Sequence, residues 1–354
     1  MQHKKVLILS AMVMLVLLFQ QCSKKDDTIT TTTDTVISPN LPATAFNYVD
    51  TYPAFIQTAL SATDNTPVDN NITNDGATLG RVLFYDKHLS KNNTVSCSSC
   101  HKPENSFTDN TILSQGFNGG LTTRHSMALL NVRFYRSGKM FWDERAPTLE
   151  KQILQPIQNT VEMGLSLAEL ESKVKALSYY PALFQKAFGS TQIDSVRIAK
   201  AVAQFVRSIV TFKSKYDQVK QGLTTFTADE AAGEQLFLTP PPLAGASSCG
   251  GCHAPPMFIT SDPVAPFAFP DAIDAGINNQ SRFKAGSLRN IALTGPYFHN
   301  GKVASLMAML APGPGLGIPA HSVMPADAAK IIAFLQTLTD NSVTTDTRFA
   351  DPFK

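Results

Sequence analysis

The chain carries the pattern C-x-x-C-H twice, as Cys97-Ser98-Ser99-Cys100-His101 and Cys249-Gly250-Gly251-Cys252-His253. Its Cys and His frequencies would yield that pattern by chance about 0.001 times, so two copies need a chemical reason. In an exported protein four paired cysteines could close two disulfides, but a His directly after each pair argues otherwise. A zinc site would need further Cys or His at ligand spacing, and none flank these pairs. A thioredoxin-like motif would sit in a βαβ pattern that the sequence lacks. Two thioethers to the vinyl groups of a haem, by contrast, leave the next side chain under the iron, where its imidazole is the axial ligand. The spacing points to two covalent c-type haems on Cys97, Cys100, Cys249 and Cys252, with His101 and His253 on the irons.

Around both motifs the apolar period is helical. Ser166-Leu167-Ala168-Glu169 reads as a capping box, followed by Leu167, Leu170, Val174 and Leu177 at helical spacing. Ile198, Val202, Phe205 and Ile209 share one face of a helix expected over 193–213. Thr227 to Glu230 caps a helix running to Phe237, and Ala328 to Leu338 reads as a C-terminal one. Alternation of period two is scarce. The expected fold is all-α, with two cytochrome c-like helical domains at 46–217 and 218–354 and one haem in each.

Ahead of them, Lys4 and Lys5 precede an apolar run, Val6 to Phe19, that is too short to span a bilayer comfortably and is soon followed by Cys22. Residues 1–21 resemble a lipoprotein signal, with Cys22 lipidated after cleavage. Residues 22–45, Thr-rich with Pro39 and Pro42, read as a tether. The expected location is the cell envelope, in the periplasm or on the outer-membrane surface, with membrane contact only through the lipid on Cys22. With 30 basic and 28 acidic residues the charge is spread without a basic block, which argues against nucleic acid. An apolar share of 43% supports a sizeable core.

Several ordered blocks accompany the two motifs. They are Leu79-Gly80-Arg81-Val82-Leu83-Phe84-Tyr85-Asp86, Phe141-Trp142-Asp143-Glu144-Arg145-Ala146, Gln152 with Pro156 through Glu162-Met163-Gly164, Ser287-Leu288-Arg289-Asn290, and Leu293 through Gly301. Together they resemble the bacterial di-haem cytochrome c peroxidases, with the tryptophan-modifying di-haem enzymes as near cousins, over roughly residues 75–340. The resemblance implies that Trp142 lies between the haems on the electron route. It implies that Glu162 and Gln152 are the distal acid/base and its amide companion at the first haem. Cleaving hydrogen peroxide needs a proton moved from one oxygen to the other, which a carboxylate can do while an amide holds the peroxide. Electrons from a small cytochrome c or cupredoxin would enter at the second haem and pass by way of Trp142. Thr294 and Pro296 match carbonyl positions that hold calcium in the family, but the family's Asn is here His125, a poor calcium ligand. A calcium ion and a homodimer are further expectations of the resemblance.

Two departures stand out. Phe117 occupies the place of a loop His that blocks the first haem in resting relatives, so that haem is expected to be open. The second haem's usual Met or Tyr ligand falls at Gly313 or Pro314, flanked by Met309 and Met324, of which Met324 is the preferred substitute. Two other readings stay open. One is a di-haem oxidase acting on a protein or organic substrate. The other is a plain electron carrier, which would need neither Gln152 nor Glu162.

Overall fold

The computed structural model describes residues 37–239, 248–259, 274–280, 282–310 and 323–354. Cys22 and the Gly313–Pro314 segment lie outside the described residues. Within them the structure is helical, with isolated bridges but no strands, and no helix is long and apolar enough to cross a membrane.

In the first half, α1 (Ala54–Thr63) and α2 (Asn74–Tyr85) lead to a single turn, α3 (Cys97–Cys100). Then follow α4 (Leu149–Gln158), α5 (Leu167–Ala176), α6 (Tyr180–Phe188) and α7 (Ser195–Ser208). The second half has α8 (Lys215–Lys220), α9 (Ala228–Leu238), α10 (Cys249–Cys252), α11 (Leu306–Leu310), α12 (Pro325–Gln336) and α13 (Ser342–Thr345). The starts follow from capping chemistry. Ser166 and Glu169 form the expected box on α5, Thr227 and Glu230 form one on α9, and Asp194 caps α7 through the Arg197 amide. Helix α7 ends at Ser208, short of the expected 213. The reason is Asn131: its amide donates to the Ile209 carbonyl, and its side chain pairs with Thr211 both ways. Helix α12 stops at Gln336 instead of Leu338 because Asn290 does the same to Leu338 and Asp340.

That correspondence extends along the chain. The main packing of each half is one helix pair, α2 on α7 and α9 on α12. Each pair touches at a glycine. A Cβ on Gly80 would lie 2.0 Å from the Ala201 carbonyl oxygen, and one on Gly233 would lie 2.0 Å from that of Lys330. Left-handed residues recur as well: Phe107 and Phe258 after the C-x-x-C-H turns, Asn131 and Asn290, Phe141 and Phe298. Such backbone costs about 1–3 kcal/mol at each non-glycine residue, so its recurrence marks one plan built twice. Bridges Met140–Ala146 and Tyr297–Val303 then place Trp142 and His299 at equivalent positions.

Each half has its own apolar core. One gathers Leu79, Phe84, Phe107, Phe184 and Phe205, the other Phe237, Phe258, Ile331 and Phe334. The last residues of the chain return to the first core, where Val343 and Phe349 are buried. Within the second half, Arg289 and Asp217 of α8 form a two-bonded ion pair, both bonds 2.9 Å and both side chains fully buried. Arg289 also donates to the Thr211 and Pro256 carbonyls, so it ties the connector to the loop after His253.

Candidate functional site

Helix α3 is one turn with a reciprocal Ser96–Ser99 capping box, and it places Cys97 and Cys100 ahead of His101 at its C-terminal end. Both cysteines are free thiols, as are Cys249 and Cys252. Burial pushes the Cys97 thiol up to about 12, with Cys100 adding to it, and burial pushes Cys100 up to about 11. No three His, Cys, Asp or Glu side chains among the described residues converge as ligands of one ion would. His101 Nδ1 lies 3.0 Å from the Phe107 carbonyl oxygen. A carbonyl can only accept, so Nδ1 carries the hydrogen. Burial lowers the imidazole's affinity for a second proton, which leaves the lone pair on Nε2. This is the arrangement in which a histidine ligates a metal. Two adjacent thiols and an oriented neutral imidazole fit a covalently held haem.

The carboxylate side of the site comes from the turn after α4. Glu162 lines a cavity of about 370 Å³ with Phe141, Arg145, Gln155, Pro156, Gln158 and Asn159. Burial raises the Glu162 carboxyl above its ordinary range, and the Arg145 guanidinium partly offsets this. The Glu162 charge also raises the proton affinity of the Cys97 and Cys100 thiols, which places the carboxyl near them. Arg145 lies 3.6 Å above the Phe141 ring and bonds to Asp143 and Gln155. Gln152 is half-buried on α4 and does not line the cavity; the lining amides are Gln155, one turn further along the helix, with Gln158 and Asn159 beyond it. Neither Arg145 nor Gln155 is marked as a site residue by the sequence, although Arg145 belongs to the Phe141–Ala146 block.

Trp142 sits where the halves meet. Its Nε1–H donates to the His125 carbonyl at 2.7 Å, and its ring meets His299 edge-on at 6.5 Å between centroids. The backbone is crossed reciprocally: the His125 amide donates to the His299 carbonyl, and the Lys284 amide to the Trp142 carbonyl, each at 2.7 Å. Arg124 clamps the same place, bonding Asp143 at 2.7 Å and Asp274 through two nitrogens at 2.6 and 2.7 Å.

Residues 74–225 match the di-haem cytochrome c peroxidase family. The cytochrome c551 peroxidase of Nitrosomonas europaea is 33% identical over 282 residues, 75% of this chain and 80% of that protein. The chain belongs to the di-haem cytochrome c peroxidase family. The methylamine utilization protein MauG of Methylophilus methylotrophus is 30% identical over 254 residues, 69% of this chain and 73% of its own. A solved MauG-like protein associated with microbial copper homeostasis superposes with a TM-score of 0.72 at 30% identity, covering 88% of this chain and 100% of that one. Haem cofactors follow from the family, and the helical fold agrees with it.

Against this family background the departures take shape. Phe117 is fixed beside the acid: its amide donates to the Glu162 carbonyl at 3.0 Å, and Asn92 holds its own carbonyl at 2.7 Å. Its ring lies over Gly164, at φ 75°, where a Cβ would come within 2.5 Å. In the second half α10 repeats the Cys–Cys–His turn, capped by Ser248. Met309 is buried in the second core, while Met324, at the N-cap of α12, is 72% exposed. Thr294 and Pro296 are half-buried next to Tyr297. His125, buried, has Nδ1 against the Thr111 and Ile112 carbonyls and Nε2 3.3 Å from the Thr108 hydroxyl.

Proposed function

We propose that the protein is a peroxidase that reduces hydrogen peroxide to water with electrons from a small cytochrome c or cupredoxin. The observation that carries this is Glu162, a half-buried carboxyl with a raised proton affinity that lines a cavity and lies near the Cys97 and Cys100 thiols. Cys97 and Cys100 would hold the first haem and His101 its iron; Cys249, Cys252 and His253 would hold the second. When bound, the haems supply the two electrons that cleave the O–O bond. Glu162 takes the proton from one peroxide oxygen and returns it to the other, and two solvent protons complete two waters. Of the α4 amides, Gln152 has the orienting role that the resemblance implies, and Gln155 and Gln158 line the cavity where peroxide would be held. Trp142, edge-on to His299, is the route between the halves.

The site needs no loop residue to leave, because Phe117 is packed on Gly164 and has no lone pair for iron. The first haem should therefore be high-spin in the ferric protein and react without prior reduction. Calcium stays outside the proposal, since hydrogen bonds within the protein already surround His125. Lipidation of Cys22 and an envelope location belong to the proposal, as do the haem domains at 46–217 and 218–354.

Steady-state peroxide consumption with reduced cytochrome c tests the reading, on protein shown by mass to carry two haems. Turnover of donor and peroxide at two to one supports it. The MauG relatives favour a second reading, in which Trp142 passes oxidising equivalents to a protein or organic substrate. Peroxide consumed without any cytochrome oxidation, only when such a substrate is present, would select that reading instead.

A further inference from the structure

The hydrogen bond that orients His101 ends on backbone held by local bonds, Ser106 to Pro103 at 3.0 Å and Phe107 to Lys102 at 2.8 Å, and touched by residues from the far end of the chain. Its acceptor, the Phe107 carbonyl, belongs to a residue at φ 60° that follows Ser106 at φ 55°. Two successive non-glycine residues keep that shape only where their surroundings dictate it. Around the equivalent Phe258 those surroundings are local: Tyr216 at 5.0 Å, Phe237 at 5.9 Å and Phe334 at 6.1 Å between ring centroids. Around Phe107 only Phe84, at 6.2 Å, comes from the same half. The other ring is Phe349, edge-on at 6.3 Å and 90°. Phe349 is held in turn by Phe205, and the carbonyls beside it accept from Arg81 at 2.8 Å and Tyr48 at 3.0 Å. From the second half, Asn290 Nδ2 donates to Ser106 Oγ at 3.0 Å.

We infer that Phe349 and Asn290 are positioning residues for the first haem. They fix the Ser106–Phe107 backbone so that its carbonyl takes the His101 Nδ1 hydrogen. A firm bond there makes Nε2 a stronger donor and favours ferric iron; a loose one does the reverse. The first site thus answers to the C-terminal strap and to the second half, whereas the ring contacts of Phe258 come from Tyr216, Phe237 and Phe334. The inference rests on His101 being the axial ligand, as proposed above.

The test uses the holoprotein carrying Phe349→Ala, the milder Phe349→Leu, or Ser106→Ala. Phe353→Ala is the control, because that strap ring meets Tyr179 and not Phe107. The readouts are the iron–histidine stretch of the ferrous protein by resonance Raman and the potential of each haem by spectroelectrochemistry. Phe349→Ala should lower the stretch and raise the first haem's potential by about tenfold in the ferric/ferrous ratio, about 59 mV for one electron. Phe349→Leu should fall between, Ser106→Ala should move the same way, and the second haem should not move. Phe353→Ala should lower the melting temperature without touching either signal. Unchanged signals in Phe349→Leu and Ser106→Ala overturn the inference even if Phe349→Ala fails to fold, as does an equal shift in Phe353→Ala. A first-haem stretch that survives His101→Gly overturns the ligand assignment itself, a separate failure recognised in the parent protein.

Discussion

Each half packs a glycine-notched helix pair behind a Cys–Cys–His turn, and each ends its last long helix on an asparagine side chain. What differs is the space in front of the turn. In the first half a carboxylate, an arginine and a packed phenylalanine surround a cavity. In the described part of the second half, Met309 is buried and Met324 is exposed. Trp142 and His299 hold equivalent places, and the tryptophan presents the wider ring, with its N–H anchored on the His125 carbonyl. One scaffold thus serves two roles by varying loops around a constant packing, which is why conserving the helix contacts says little about the reaction.

The largest expected effect strikes the first half alone. Glu162→Gln removes the group that moves the proton and should slow peroxide consumption by about 10²–10⁴-fold. Both haem spectra and electron entry from the donor should stay nearly intact. Equal turnover in variant and parent would erase the functional contrast between the halves.

Next comes a fault where the connector enters the second half. Asp217→Ala leaves the Arg289 guanidinium buried without its carboxylate, which should cost about 3–5 kcal/mol. Arg289 also holds the Pro256 carbonyl, so the second haem's environment should loosen first. Thermal unfolding followed separately at the two haem signals checks this; simultaneous melting with no loss of stability would refute it.

The glycine contacts test whether the plan is really shared. Gly80→Ala and Gly233→Ala each push a methyl against a backbone carbonyl 2.0 Å away, and each should cost about 1–3 kcal/mol or more by overpacking. Similar losses in chemical unfolding would uphold the repeat. A loss in one and none in the other would confine it to geometry.

Much of this was legible in the sequence, for identifiable reasons. The haem turns follow from covalent spacing, and the caps of α5 and α9 follow from local side-chain chemistry. Helix ends at Ser208 and Gln336 were not legible, because Asn131 and Asn290 impose them from far along the chain. The internal repeat was hidden for a related reason: its markers are left-handed backbone at Phe107, Phe258, Phe141 and Phe298, which these residue types do not announce. Aligning Gly80, Leu83 and Phe84 with Gly233, Leu236 and Phe237 would have exposed it. At the site, Glu162 came from a family block, but the choice between Gln152 and Gln155 as cavity lining turns on helix rotation and side-chain packing.

The smallest expected effect concerns how Glu162 is tuned. To accept the peroxide proton it must be ionised, so turnover should fall as pH drops through its pKa. Burial places that pKa above the ordinary carboxylate value of 4.5, and the Arg145 cation pulls it part of the way back. Arg145→Gln should therefore move the acid limb of the pH–rate profile to higher pH and leave the plateau rate largely unchanged. The shift should be modest, because Arg145 is 44% exposed and also faces Asp143, so solvent and salt screen its field. Added salt should for the same reason move the limb upward in the parent protein and barely move it in the variant. Arg145 bonds to Asp143 and Gln155 of the first half, so the second haem's potential should be unaffected in Arg145→Gln. A limb that stays in place in Arg145→Gln, at low salt, would mean that burial alone tunes Glu162, and that the arginine serves only to hold Phe141 and Gln155 in position.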